Sequence, residues 1–302
     1  MDSTNRNSKQ GERDEATRQR TGTSIHDRAT PAGRRRSEVG LITRAFSLLA
    51  LVIMLGSSLP AAEPVRLRVL SYNIHHGAGT DGQLDLERIA KVIKDARPDI
   101  VALQEVDIKT DRVGGIDEGA ILARLTGMTY VPGENIDYQN GRYGNGALVR
   151  GTVLHSQNHL LPPSSAEQRG VLDIRFRKDK DSPEMRFLAT HLDHRSADEE
   201  RLASAAFIND LVKGDKTPAI LAGDLNDTPD SETLKLLGRQ WSNPTAGKTL
   251  LTSPAGEPVR QIDYVLTRPG VAWRLVEARV LDEGVASDHR PILVVLELRG
   301  ES

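Results

Sequence analysis

The stretch "AILAGDLNDTPDSE", residues 219–232, decides how the rest of the chain is interpreted. Its first four residues form an apolar run with the length and composition of a buried strand. The run stops at Gly223, and Asp224, Asn226 and Asp227 follow at once. A buried strand that ends in carboxylates and an amide predicts a polar site at the strand end, with Asp227 as a turn or cap residue.

Outward from this stretch, strand-like and helix-like segments are mixed. Residues 65–74 alternate as a strand does, and 84–97 repeat apolar residues at helical spacing and stop before Pro98. A helix is predicted within 196–214, capped by Ser196 and ended by Gly214. Other strands are predicted near 100–107, 128–132, 144–150, 153–160, 171–177, 185–192, 261–267, 272–281 and 290–298, and other helices near 118–127 and 231–237. Because single α/β crossovers are mixed with long β runs, the pattern predicts an α/β (α+β) fold with two packed sheets flanked by helices.

Polar side chains recur in or directly beside these predicted strands. Asn73, Glu105, His191 and Asp224 lie at strand ends, Asp263 lies inside a strand, and Asp288 and His289 come just before the last strand. Their carboxylate and amide oxygens suit Mg²⁺ or Mn²⁺, and a histidine beside an aspartate can transfer a proton. The sequence has no G-x-S-x-G motif, so the set favours water activated beside a divalent metal over a serine nucleophile.

Seven short motifs resemble, in their order, those of the endonuclease/exonuclease/phosphatase superfamily. They are "SYNIHHG" (71–77), "ALQEVD" (102–107), "GNGALVR" (144–150), "ATHLDH" (189–194), "GDLND" (223–227), "QIDYV" (261–265) and "SDHRPI" (287–292). The resemblance spans roughly residues 65–298. It implies a four-layer sandwich, with two mixed β-sheets packed face to face and flanked by helices, and metal-dependent hydrolysis of phosphoester bonds.

The resemblance also implies a metal site and a water-activating group. Asn73, Glu105 and Asp288 would hold the divalent ion, Mg²⁺ or Mn²⁺, with Glu105 as the principal ligand. Asp224 would orient or deprotonate the attacking water. Asn226, two residues on in an extended segment, would donate to a phosphate oxygen.

The remaining implied roles concern the phosphate. Asp263 and His289 would form a hydrogen-bonded pair in which the carboxylate fixes the imidazole tautomer and raises its pKa. His191 would donate to the phosphate from the opposite side. Tyr143 completes the predicted catalytic set, and Asn145 is a weaker candidate for a phosphate contact.

Four further residues near the predicted site have two interpretations. His75, His76, His194 and Arg195 are either solvated loop residues or the lining of a pocket for a small phosphorylated head group. The sequence leaves both open.

Composition narrows the classes of chemistry and substrate. The chain of 302 residues has no cysteine, which excludes disulfides, thiolate catalysis and zinc–thiolate sites. Residues 1–44 hold ten Lys or Arg and six Asp or Glu, so the rest has 30 basic and 36 acidic residues, a net charge of −6. With 4% aromatic residues, this charge makes nucleic acid a less favoured substrate than a small or lipid-head-group phosphoester.

The N-terminal 62 residues are predicted to precede the catalytic domain. Residues 1–38 are polar and predicted to be disordered, and 39–62 have the charged, apolar and small-residue order of a signal peptide or N-terminal anchor. We therefore expect an exported protein, periplasmic, secreted or membrane-anchored, whose domain at 63–302 acts as a monomer. Membrane association would come from the N-terminal segment or from a lipid substrate.

Two alternatives to a small-phosphoester hydrolase remain. One is a nuclease of the same superfamily. The other is a non-catalytic binding module on the same fold, although a complete set of site residues argues against a decayed site.

Overall fold

A computed structural model describes residues 64–162, 167–271 and 273–299. Within these residues the chain forms four α-helices and two β-sheets. The helices are α1 Leu86–Ala96, α2 Glu118–Thr126, α3 Glu199–Leu211 and α4 Glu232–Leu237. The strands are β1 Val65–Asn73, β2 Ile100–Ile108, β3 Thr129–Tyr138, β4 Gly141–Val149, β5 Thr152–Leu160, β6 Gly170–Arg177, β7 Met185–His191, β8 Ala219–Asp224, β9 Asp263–Thr267, β10 Trp273–Val280 and β11 Ile292–Leu298.

Both sheets are mixed. One has six strands in the order β10-β11-β1-β2-β4-β3, and the other has five in the order β5-β6-β7-β8-β9. In each sheet a single inner pair is parallel, β1 with β2 and β7 with β8, and the other neighbours are antiparallel. These two parallel pairs are the ones joined by a helical crossover, through α1 and α3 respectively. The predicted pair of mixed sheets is confirmed.

Alternation along the strands divides the hydrophobic core into three layers. On β1, Leu67 and Val69 pack between the two sheets, whereas Leu70 and Tyr72 on its other face pack against α1 and α2. A third cluster lies between the five-stranded sheet and helices α3 and α4. Because each sheet buries both faces, the order helix, sheet, sheet, helix gives the predicted four-layer sandwich.

Two local predictions were inaccurate. The strand predicted at 128–132 extends to Tyr138, where it turns into β4 as a hairpin. Ser196 does not cap α3, which begins at Glu199 after Asp198. The backbone of Asp198 is already helical and its carbonyl accepts from Leu202 N at 2.8 Å, so the helix starts too far from Ser196 for a cap.

Among the described residues, no helix is long and apolar enough to cross a membrane. The predicted polar leader and the signal or anchor at 39–62 lie outside the described residues.

Candidate active site

Side chains from both sheets meet at one edge of the sandwich. Asp224 ends β8 and lies in register between His191 at the end of β7 and Asp263 at the start of β9. Nδ2 of Asn73, at the end of β1, lies 3.2 Å from Oδ2 of Asp224, so the strand ends of the two sheets share one site. Glu105 joins them through a 3.0 Å contact between its Oε1 and the same Nδ2.

Asp224 is the buried centre of this group, with 1% of its surface exposed. Burial, reinforced by the nearby charge of Asp263, raises the pKa of Asp224 to about 7. Its Oδ1 accepts the backbone N–H of Asn226 at 2.9 Å, and its Oδ2 lies 3.7 Å from Nε2 of His289. The result is a carboxylate oriented by its neighbours that can change protonation state near neutral pH.

His289 and Asp263 form the predicted pair. Nδ1 of His289 donates to Oδ2 of Asp263 at 2.9 Å, and both residues are buried. Burial alone would lower the pKa of His289, but the charge and hydrogen bond of Asp263, together with the charge of Asp224, outweigh it and raise the pKa to about 10. His289 therefore stays charged at neutral pH, with its Nε2–H directed at Asp224.

His191 has the opposite character. Burial and the charge of Arg169 hold the pKa of His191 well below its usual range, so the ring is neutral. Two nitrogens that normally donate approach it: NH1 of Arg169 lies 3.2 Å from its Nδ1, and Nδ2 of Asn226 lies 3.0 Å from its Nε2. A neutral imidazole accepts only one such bond, and Nδ2 of Asn226 is itself held as a donor by the carbonyl of Leu192 at 3.0 Å. Nδ1 faces the guanidinium, which has only donors, whereas Nε2 also faces the carboxylate of Asp224, which can accept its proton. Arg169 therefore fixes the proton on Nε2, which lies 3.5 Å from Oδ2 of Asp224.

Glu105 and Asn226 reach the site through left-handed backbone. Glu105 has φ 59° at an irregularity in the pairing of β2 with β4, and a non-glycine residue there is held at an energetic cost. Asn226 has φ 51°, so the predicted extended segment is wrong. Its side chain still reaches His191, because asparagine tolerates the left-handed bend that turns the chain back after β8.

The loop before β11 carries Asp288 and is tied to β1. Oγ of Ser287 donates to the carbonyl of Asn73 at 2.7 Å, and the carbonyl of Asp288 accepts the N–H of Ala255 at 2.7 Å. Asp288 is half-buried, so its carboxylate remains available at the rim of the site.

The donors present fit a divalent cation. Glu105 and Asp288 supply partly exposed carboxylates, and Oδ1 of Asn73, which accepts the N–H of His75 at 3.0 Å, keeps a second lone pair. The predicted set Asn73, Glu105 and Asp288 is therefore chemically suited to hold the ion.

Tyr143 and Asn145 lie on β4 and differ in role. The pKa of the Tyr143 hydroxyl is raised by burial and by the charge of Glu105, so it keeps its proton and can donate. Nδ2 of Asn145 donates to the carbonyl of Gly170 at 2.9 Å, which ties β4 to β6 across the two sheets. Asn145 therefore supports the sandwich rather than facing a ligand through that nitrogen.

The outer residues His194, Arg195 and Asp227 each make polar contacts within the protein. Nδ1 of His194 lies 3.2 Å from NH2 of Arg169, so one guanidinium contacts two imidazoles. Arg195 forms an ion pair with Asp193 at 3.0 Å. Asp227 accepts from Nε of Arg201 at 3.1 Å and from Thr228 N at 3.0 Å, in agreement with its predicted role in the turn.

Arg169 is the residue that sequence reasoning missed. It is 6% exposed, although arginine is rarely buried without a specific role. The signal available in the sequence was "QRG", a charged residue directly before the apolar strand β6.

A family model and a bacterial protein each match most of this chain. A model of the Endonuclease/Exonuclease/phosphatase family matches residues 70–289. The chain is similar to the Uncharacterized protein YbhP of Escherichia coli (strain K12), with 25% identity over 245 residues, 76% of this chain and 96% of YbhP.

Solved structures share the fold at lower identity. An endonuclease/exonuclease/phosphatase from Beutenbergia cavernae has a TM-score of 0.65 and 24% identity over 78% of this chain and 72% of that chain. The mannosyl-6-phosphatase Bt3783 of Bacteroides thetaiotaomicron has a TM-score of 0.64 and 18% identity over 76% of this chain and 99% of that chain.

Proposed function

The chain belongs to the Endonuclease/Exonuclease/phosphatase family, and on that basis we propose that it is an exported hydrolase of small or lipid-head-group phosphoesters that works with bound Mg²⁺ or Mn²⁺. Members of the family are hydrolases that act on phosphoester bonds and generally depend on a divalent metal.

The proposal rests above all on the environment of Asp224. It is a buried carboxylate whose pKa is raised to about 7, and it has two imidazole Nε2 atoms at 3.5 Å and 3.7 Å from its Oδ2. A base whose pKa lies near the working pH combines a useful fraction of charged form with a useful driving force for proton transfer. Asp224 takes the proton of the attacking water, and its fixed contacts orient that water.

The two histidines stabilise charge on the phosphate in different ways. His289, paired with Asp263 at 2.9 Å, brings a permanent positive charge at neutral pH. His191 is neutral and offers an Nε2–H oriented by Arg169. Donors that are already fixed before the reaction stabilise the transition state without reorganisation. Tyr143 adds a hydroxyl donor at the Glu105 side.

Asn73, Glu105 and Asp288 would hold the divalent ion. When bound, such an ion offsets negative charge on the scissile phosphate and the leaving oxygen. The half-buried carboxylates of Glu105 and Asp288 would balance the ion's charge, and the Asn73 amide ties Glu105 to Asp224.

The substrate class is supported by charge and by one structural relative. Beyond residue 44 the net charge is −6, which is unfavourable for a polyanion such as nucleic acid. The relative that is a mannosyl-6-phosphatase has the same fold and acts on a small phosphoester, as its name states. Export is supported by the apolar segment within 39–62.

The decisive experiment is a substrate panel with purified protein. It compares a sugar phosphate, a glycerophosphodiester, a phosphocholine lipid and a single-stranded oligonucleotide, each with Mg²⁺, Mn²⁺ or chelator. We expect metal-dependent turnover of a small or lipid-head-group substrate, and Glu105→Gln should raise the metal concentration required more than any other single change. Turnover of the oligonucleotide alone would assign a nuclease instead, ligand binding without turnover a binding module, and full activity in chelator would refute the metal requirement.

A further inference from the structure

The chain after β1 adopts an unusual backbone. His75, His76 and Gly77 follow one another with φ of 46°, 42° and 72°, and only the last is a glycine. Left-handed backbone is energetically unfavourable for a non-glycine residue. Two successive histidines held in this way indicate that their side chains are needed where this turn places them.

The turn brings both imidazoles to Glu105. Each of the three residues offers a ligand atom, and these atoms all lie within 4.8 Å of one another. The two rings meet edge to face, with centroids 4.4 Å apart and planes inclined by 63°. Glu105 is itself left-handed, so three strained residues converge on one point.

The hydrogen bonding of the two imidazoles leaves ring nitrogens that can bind a cation. Nδ1 of His75 lies 3.0 Å from the carbonyl of Ala78, and because a carbonyl only accepts, Nδ1 carries the proton and Nε2 has the free lone pair. A hydrogen bond of this kind to a backbone carbonyl is typical of metal-binding histidines. Nδ1 of His76 is buried without a hydrogen-bond partner among the described residues.

The other cluster of similar composition does not share this property. Asp224, Asp263 and His289 also lie within 4.8 Å of one another. There, however, Nδ1 of His289 donates to Asp263 and Nε2 faces Asp224, so the imidazole is occupied as a donor between two carboxylates.

We propose that His75, His76 and Glu105 form a divalent-metal site with two nitrogen donors, which selects Mn²⁺, Co²⁺ or Zn²⁺ over Mg²⁺. Magnesium prefers oxygen ligands in near-ideal octahedral geometry, whereas imidazole raises the affinity of the later first-row metals. The inference deepens the proposed function, on which it rests for the role of Glu105. The backbone N–H of His75 donates to Oδ1 of Asn73 at 3.0 Å, so the histidine turn also positions the neighbouring amide ligand.

The test measures metal binding rather than turnover. Co²⁺ and Mg²⁺ are titrated into the full chain by calorimetry, with the visible absorption of Co²⁺ as a second readout. The variants are His75→Asn and His76→Asn, because asparagine tolerates left-handed backbone. His155→Asn, an exposed histidine on β5, is the matched control.

We expect Co²⁺ to bind the unaltered protein at least about a hundredfold more tightly than Mg²⁺. Each turn variant should weaken Co²⁺ binding by about tenfold or more and alter its absorption, while Mg²⁺ affinity changes by less than about threefold. His155→Asn should leave both unchanged. Equal loss of Mg²⁺ and Co²⁺, or no loss of either, would overturn the proposal.

A second measurement needs no variant. Zn²⁺ added to ¹⁵N-histidine-labelled full chain should shift the ring signals of two histidines that do not shift with Mg²⁺, and assignment of those signals elsewhere would contradict the site. Nitrogen-dependent Co²⁺ binding without any phosphoester turnover would uphold the site and refute the proposed function. Magnesium-supported turnover with unchanged Co²⁺ binding in both variants would do the reverse.

Discussion

At the scale of single residues, Asp224 carries the sharpest prediction. Asp224→Asn keeps the shape and can still accept the N–H of Asn226, which lies 2.9 Å from Oδ1, but it cannot accept a proton from water. We expect single-turnover hydrolysis to slow by at least about a hundredfold, while substrate affinity changes far less.

Thermal melts show whether a slower Asp224→Asn protein has lost its catalytic group or its folded structure. Because burial raises the pKa of Asp224 to about 7, removing its charge should not lower the melting temperature above that pH. Asp230→Asn, an exposed aspartate on the same loop, should leave both rate and stability unchanged. An unfolded Asp224→Asn protein would identify Asp224 as a structural residue.

Arg169 supplies a second test, because it acts through His191. Arg169→Gln removes the obligatory donor 3.2 Å from Nδ1, so the imidazole proton is no longer held on Nε2. A hydrogen bond involving a charged group contributes about 1.5–3 kcal/mol, so turnover should fall about tenfold to a hundredfold. The ¹⁵N shifts of His191 should change from the Nε2–H form to a mixture of tautomers.

The control for Arg169 is Arg175, which lies on β6, the strand that Arg169 directly precedes. Arg175 pairs with Asp215 at 2.6 Å and donates to Oγ1 of Thr217 at 2.8 Å, and neither of these contacts involves His191. Arg175→Gln should therefore leave the His191 shifts unchanged. An Arg169→Gln protein with a slower rate but an unaltered His191 tautomer would show that Arg169 acts by charge alone.

At the scale of elements, the parallel pair β7 and β8 depends on Gly223. A Cβ at this position would lie 2.0 Å from the carbonyl oxygen of Thr190, its partner on β7. Gly223→Ala must therefore separate the two strands, at a cost of about 2 kcal/mol or more in the free energy of unfolding. Because His191 and Asp224 are the next paired residues on these two strands, turnover should fall as well. Urea unfolding measures the first effect, and Gly256→Ala, which places its Cβ in open space, should show neither.

Helix α2 carries a buried acid that makes stability depend on pH. Glu118 is fully buried, and burial raises its pKa to about 8 despite a 2.7 Å hydrogen bond from Asp107 N. Since the folded-state pKa exceeds the unfolded value near 4.5, the folded chain holds the proton more tightly. The contribution of Glu118 to the free energy of unfolding is therefore fully present below about pH 4.5 and is lost progressively as the pH rises to about 8.

Glu118→Gln removes this dependence while keeping an oxygen for the Asp107 N–H. We expect the variant to be more stable than the unaltered protein at pH 8 by about 2–4 kcal/mol and equal to it near pH 4.5. Urea unfolding across this range measures the difference. Glu87→Gln, an exposed acid in the first turn of α1, should leave the pH profile unchanged, and a similar profile for both variants would contradict the assignment.

At the scale of the whole molecule, the prediction concerns export. Residues 1–63 fused to a reporter should carry it out of the cytoplasm, because the apolar run beginning at Ala45 follows the positive charge of Arg44. Leu51→Arg places a charge within that run and should keep the reporter inside. A reporter that stays in the cytoplasm with the unaltered leader would contradict the proposed exported location.

The sequence by itself determined the sheets and most of the site. Strand alternation and helical spacing are local properties, so they predicted two packed sheets and placed Asn73, His191 and Asp224 at strand ends. Glu105, predicted to close the second strand, instead lies within β2, at an irregularity in its pairing with β4 that no local pattern encodes. Tertiary contacts supplied the rest. No local pattern encodes the 3.2 Å approach of Asn73 to Asp224, which are 151 residues apart, because it arises only when one sheet packs on the other.

The same distinction explains what sequence reasoning missed. Arg169 became part of the site because β6 pairs with β7 and brings its guanidinium to His191, and a buried position cannot be inferred from an isolated charge. The left-handed backbone of Asn226 and of the histidine turn depends on which contacts compensate its cost. Composition and periodicity describe what each segment favours alone, whereas strained conformations persist only where packing from distant segments stabilises them.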